Sequence, residues 1–166
     1  LSQHIVLIDN EFVNNTAVLQ ATESTHLAAG GAVRATALDF RLLNNHFVNN
    51  ATCRLDCNQM VGNGGALAVI PAVAADDTTS LDTLVDANIF VGNHGNSGTA
   101  AILLTNLFTV TNNVFANNLA HGDQESPALD ISLDDAEPAE ALIANNTLYN
   151  NAGGPAVRFW GWADEQ

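Results

Sequence analysis

NNVFANN, residues 112–118, recurs with small changes as NNHFVNN (44–50), DNEFVNN (9–15), ANIFVGN (87–93) and NNTLYNN (145–151). Anchored on Phe12, Phe47, Phe90, Phe115 and Leu148, the five segments share three columns. Asn10, Asn45, Asn88, Asn113 and Asn146 stand two residues before the anchor, and Asn15, Asn50, Asn93, Asn118 and Asn151 stand three after it. Leu7, Leu42, Val85, Val110 and Ile143, always aliphatic, stand five before it. Two fixed asparagines around four of the seven phenylalanines make this an internal repeat.

A second element alternates with the first: GGAVRA (30–35), GGALAV (64–69), TAAILL (99–104), SPALDI (126–131) and GPAVRF (154–159). Counted from a shared alanine (Ala32, Ala66, Ala101, Ala128, Ala156), the first and third following positions are apolar every time. The position between holds Arg34, Ala68, Leu103, Asp130 or Arg158. Period-2 patterning predicts strands with one buried and one free face. Spacings of 34, 35, 27 and 28 residues between those alanines lie in the range of solenoid arrays.

Short β segments, Gly and Asn corners and the absence of any amphipathic helical stretch predict an all-β parallel β-helix of about five coils, one domain over residues 1–166. Coils stacked about 4.8 Å apart place Phe on Phe and Asn on Asn. An amide carries both a donor and an acceptor, so the ten asparagines can form ladders along the axis. Asn also tolerates the left-handed backbone of a tight corner. The unit therefore reads as a corner, a core plug and a second corner. Asn14, Asn50 and Asn145 also begin Asn-x-Thr sequons.

The GGA-[VLI] and F-x-x-N alternation, literal at 30–33, 64–67, 12–15 and 47–50, resembles right-handed parallel β-helix proteins of the pectin-lyase-like superfamily. More narrowly, it resembles the repeats of polymorphic outer-membrane proteins and autotransporter passengers. TAAI, PALD and PAVR fit more loosely, and Leu148 replaces the Phe in the last unit. The resemblance implies a right-handed helix and a cell-surface or extracellular stalk engaged in adhesion to a host surface protein or polysaccharide. It also implies that an enzymatic relative, a carbohydrate-active lyase or hydrolase, must be weighed as the alternative.

Composition narrows the partners. The four basic residues are all Arg, against 18 acidic ones, for a net charge of −14. Such a surface repels nucleic acid and anionic membrane. No apolar run reaches the roughly 20 residues of a membrane span. The opening LSQHIVLIDN has no basic stretch and no cleavage site, so the expectation is a removed leader or a segment of something longer.

Candidate chemistry is sparse. A lone Asp130 in the outward column reads as a surface charge rather than a catalytic acid, and no catalytic residue is assigned. Acidic residues gather at 71–82 and 134–140, both after an Ala strand and before the next Phe strand, so they project from one side. Ca²⁺ could bind there through carboxylates, but the spacing matches no Ca²⁺ loop, and solvated acidic loops are the favoured reading. No cofactor or metal is assigned. Cys53 and Cys57 read as a short-loop disulfide, with free thiols as the alternative. Residues 16–29 and 51–62 read as long loops suited to partner contacts.

The chain begins on an Asn-x-Phe strand and ends on an Ala strand, which reads as two complementary half-coils. Phe159, Trp160 and Trp162 sit at that end as an expected cap or contact. Copies of the chain, or flanking β-helix segments, are therefore expected partners, and a filament an expected product.

Overall fold

The computed structural model describes residues 4–19, 28–54, 62–71, 82–95, 98–104, 107–120, 126–133 and 140–161. Among them there is no helix. The first repeat runs β1 (His4–Ile8), β2 (Glu11–Val13), β3 (Thr16–Leu19), β4 (Ala28–Ala29) and β5 (Val33–Ala37). The second runs β6 (Asp39–Leu43), β7 (His46–Val48), β8 (Ala51–Arg54), β9 (Gly62–Asn63) and β10 (Leu67–Pro71). The third has β11 (Asp82–Asp86), β12 (Ile89–Val91), β13 (His94–Gly95) and β14 (Ala101–Leu104), and the fourth β15 (Leu107–Thr111), β16 (Val114–Ala116), β17 (Leu119–Ala120) and β18 (Leu129–Leu133). The last has β19 (Glu140–Ala144), β20 (Thr147–Tyr149) and β21 (Val157–Gly161).

Equivalent strands pair in parallel. Sheet A is β1-β6-β11-β15-β19, sheet B β2-β7-β12-β16-β20, sheet C β3-β8-β13-β17 and sheet D β5-β10-β14-β18-β21, while β4 and β9 form a short separate pair. The chain is thus an all-β repeat of parallel strands in stacked sheets, consistent with a β-solenoid. Each of the five repeats contributes a strand to sheets A, B and D. The half-coil reading of the termini is corrected accordingly: five Asn-x-Phe strands are matched by five Ala strands, and only the starting phase made them look unpaired.

The Phe column builds the core. Phe12, Phe47, Phe90 and Phe115 stack at centroid separations of 4.7, 4.8 and 4.9 Å, and Leu148 pairs with Phe115 in register. Phe47, Phe90 and Phe115 are fully buried, whereas Phe12 and Leu148, in the terminal repeats, are half-buried. Behind them the Leu42, Val85 and Val110 column of sheet A is sealed from solvent.

Each Asn column is a hydrogen-bonded ladder. The Asn10 Nδ2 donates to Asn45 Oδ1, Asn45 to Asn88, Asn88 to Asn113 and Asn113 to Asn146, over 2.9–3.1 Å. The second ladder runs the same way from Asn15 through Asn50, Asn93 and Asn118 to Asn151, at 2.9–3.0 Å. Each accepting Oδ1 also takes the backbone N–H of the preceding asparagine, as when Asn45 donates to Asn88 at 2.8 Å.

The ladder asparagines are not the left-handed residues, which refines the sequence reading. Positive φ falls one position earlier, on Asp9, Asn44, Ala87, Asn112 and Asn145 before the Phe and on Asn14, Asn49, Gly92, Asn117 and Asn150 after it. The Asn-Asn doublet therefore divides its work: the first residue turns the corner and the second fills it. Ala87, at φ 56°, lacks the local hydrogen bonding that lets Asn rest there. Ala87→Asn restores the doublet and is expected to stabilise the chain by about 1 kcal/mol. A denaturant titration with an unchanged or lower midpoint would refute this account of the corner.

The Ala element is likewise a steric device. Gly64 has φ +65°, and a Cβ on Gly65 would lie 2.0 Å from the Thr99 carbonyl oxygen and 2.6 Å from the His94 carbonyl. The first glycine makes the turn, and the second lets that turn pack against sheet C.

Three expectations need correction here. In the third repeat the shared alanine is Ala100, not Ala101: Leu67 pairs with Ala101 and Val69 with Leu103. Ala101 and Leu103 therefore face the core, and Ile102 joins the Arg34, Ala68, Asp130 and Arg158 column. Gly98, at φ +62°, marks the true register because it repeats the turns at Gly30 and Gly64. Second, the Arg34 column is not a free face throughout: Arg34 is exposed, but Ala68, Ile102 and Asp130 are buried. Third, 16–29 and 51–62 are not wholly loops, because β3, β4 and β8 lie within them.

Candidate functional site

Two outward columns carry the titratable groups of the described residues that come closest together. On sheet A the first strand position reads His4, Asp39, Asp82, Leu107 and Glu140 from repeat to repeat. The His4 Nδ1 lies 3.0 Å from Asp39 Oδ2, and the Arg41 Nε donates to Asp39 Oδ1 at 3.1 Å. Arg41 also reaches Asp82 over 3.6 Å. These side chains are partly to largely exposed, so each pair stabilises by no more than about 1 kcal/mol.

Where sheet A begins, a depression of about 530 Å³ is lined by Asp82, Leu107, Phe108, Thr109, Glu140, Ala141 and Leu142. Residues 72–81 and 134–139 lead into β11 and β19, whereas residues 105–106 alone lead into β15 between them. Asp82 and Glu140 flank Leu107 in register, two strand spacings or about 9–10 Å apart along the sheet. Both acidic segments thus occupy the same point of the repeat, between sheets D and A. Asp82 and Glu140 are described, but Asp76, Asp77, Asp134, Asp135 and Glu137 lie outside the described residues. Among the described residues no group of three or more His, Cys, Asp or Glu side chains could hold a metal.

On sheet D the structure corrects the reading of Asp130 as a surface charge. Its side chain is 3 % exposed and is held by a two-pronged contact: the Arg158 Nη2 donates to Oδ2 at 2.6 Å and Nε to Oδ1 at 3.2 Å. A buried carboxylate with a planar guanidinium partner is a matched ion pair. The signal was present in the columns, since Asp130 and Arg158 are direct neighbours in β18 and β21.

The other candidate residues divide by what is described. Cys53 lies in β8, but Cys57 is outside the described residues. Trp160 belongs to β21 and Trp162 is outside. Phe159 is 53 % exposed and meets Phe108 at 6.4 Å between centroids. The Asn50 sequon is closed, because that side chain is fully buried in its ladder, while Asn14 and Asn145 are exposed.

No protein-family model matches the chain, and no curated protein or solved structure matches it.

Proposed function

We propose that this chain is a non-enzymatic structural or adhesive module displayed outside the cell, built as a single right-handed parallel β-helix of five coils. One observation supports this reading above others: the buried ladder amides and the buried carboxylate of Asp130 are bound to the scaffold. The ladder amides bond to one another and Asp130 bonds to Arg158. The columns left outward mix aliphatic, hydroxyl, acidic and a few basic residues, suited to contact over an extended area. The net charge of −14 keeps such a surface soluble and directs it toward neutral or cationic partners.

The test is adhesion to immobilised host surface proteins and polysaccharides, with turnover measured in parallel. Binding without turnover supports the module, and product release overturns it. The second reading, a polysaccharide-binding or polysaccharide-cleaving β-helix, rests on the depression flanked by Asp82 and Glu140. They stand on strands two spacings apart with one strand between them, which leaves room for a sugar and a water between two carboxylates. Loss of turnover in both Asp82→Asn and Glu140→Gln would select it.

A further inference from the structure

The ladders have a direction. Every Oδ1 accepts from the asparagine of the repeat before it, so donors point toward the C-terminal repeat throughout. Among the described residues, Asn10 and Asn15 accept nothing at Oδ1, and the backbone N–H groups of Asn146 and Asn151 meet no following asparagine. One end therefore presents two amide acceptors, and the other presents the donors that would meet them.

Apolar surface is distributed in the same way. Among the described residues the large exposed apolar side chains are Val6, Ile8, Val13 and Val18 in the first repeat, Leu142, Tyr149 and Phe159 in the last, and Leu119 alone elsewhere. β1, β2 and β5 are edge strands at one end, and β19, β20 and β21 are edge strands at the other.

We propose that the tail repeat of one copy receives the head repeat of a second copy, continuing both ladders across the join. This deepens the structural-module reading and rests on it. Extending the observed register by one repeat sets Asn146 against Asn10 of the next copy and Asn151 against its Asn15. Leu148 then covers Phe12, Leu142 meets Val6, and Tyr149 meets Val13. A head-to-head contact would instead set acceptor against acceptor and a tail-to-tail contact donor against donor, so neither two-fold contact continues the ladders. The tail-to-head contact never closes, so it grows as a filament. One contact opposes it: Arg158 meets Arg34 of the next copy in the sheet D column.

Sedimentation and light scattering on the 166-residue chain test the join through two blocked variants. Phe12→Asp closes the head and Leu148→Asp closes the tail. The unaltered chain should gain mass continuously over about a hundredfold range of concentration. Each variant alone should remain monomeric, and an equimolar mixture should stop at dimers. A monomeric unaltered chain overturns the proposal, and so does a dimer formed by Leu148→Asp alone, which would join by its heads. Arg34→Asp, on an exposed side chain, tests the register without disturbing the core. It replaces the opposing contact with one between opposite charges and should tighten association by roughly tenfold. Unchanged or weaker association of a folded Arg34→Asp chain overturns this register. Polysaccharide turnover by the same sample would overturn the module reading alone, whereas a monomeric chain that still adheres overturns only the join.

Discussion

Asn93→Ala is expected to destabilise the chain by about 4–6 kcal/mol, enough to unfold a domain of ordinary stability. Asn93 is fully buried, and its side chain serves three neighbours. Its Oδ1 accepts the backbone N–H of Asn50 at 2.9 Å and the Asn50 Nδ2 at 3.0 Å. Its Nδ2 donates to Asn118 Oδ1 and to the Phe47 carbonyl, each at 3.0 Å. Alanine removes both the acceptor and the donor of the amide and leaves their partners in a site that water does not reach. Each orphaned group costs about 1–3 kcal/mol, which exceeds what the lost side-chain volume alone would cost. Asn15→Ala, at the exposed end of the same ladder, removes only the Nδ2 donation to Asn50, keeps the backbone one, and should cost about 1 kcal/mol. Denaturant midpoints for the two variants check the gradient. Equal losses would mean that the ladder is decoration on the sheets.

The second large effect is Phe47→Ala, expected at about 3–5 kcal/mol. Phe47 is sealed on both faces, by Phe12 at 4.7 Å and Phe90 at 4.8 Å. Flanking rings held in register by their own β-strands cannot close over the void, so the cavity contribution persists. Arg34→Ala, on an exposed side chain, should change the midpoint by less than about 0.5 kcal/mol. Comparable effects from the two substitutions would reverse the assignment of faces.

The parts of the fold legible in the sequence are those in which every repeat spells the same physical demand. Phe at the centre of sheet B and the amides beside it recur because stacking repeats their environment. The register of the third Ala strand was not legible, for an equally physical reason. Residues 100–104 read AAILL, so alternation is satisfied whichever alanine is the anchor. The turn glycine decides it, and Gly98 stands two residues before Ala100 just as Gly64 stands two before Ala66.

Sheet C was missed because its strands carry no shared residue. Ala17, Thr52, Gly95 and Ala120 occupy one of its columns, and nothing in their chemistry declares a common site. The paired Asp130 was misjudged because the outer column was weighed as a whole, whereas an ion pair needs only two adjacent strands. The apolar Ala68 and Ile102 in the middle of that column were the sequence trace of its burial there.

Sameness from repeat to repeat creates an ambiguity that the folding chain must resolve. If β2 were to pair with β12 instead of β7, Phe would still meet Phe and both amides would still find amides. A slip by one whole repeat is therefore nearly invisible to the residues that stabilise the fold most. What distinguishes the correct neighbour is the irregular minority: His4 beside Asp39 and Arg158 beside Asp130. These positions act as addresses and the ladders as adhesive. Refolding of Arg158→Met should accordingly lose fidelity as well as stability, with more of the chain caught in out-of-register forms that must reopen before the native pairing is found.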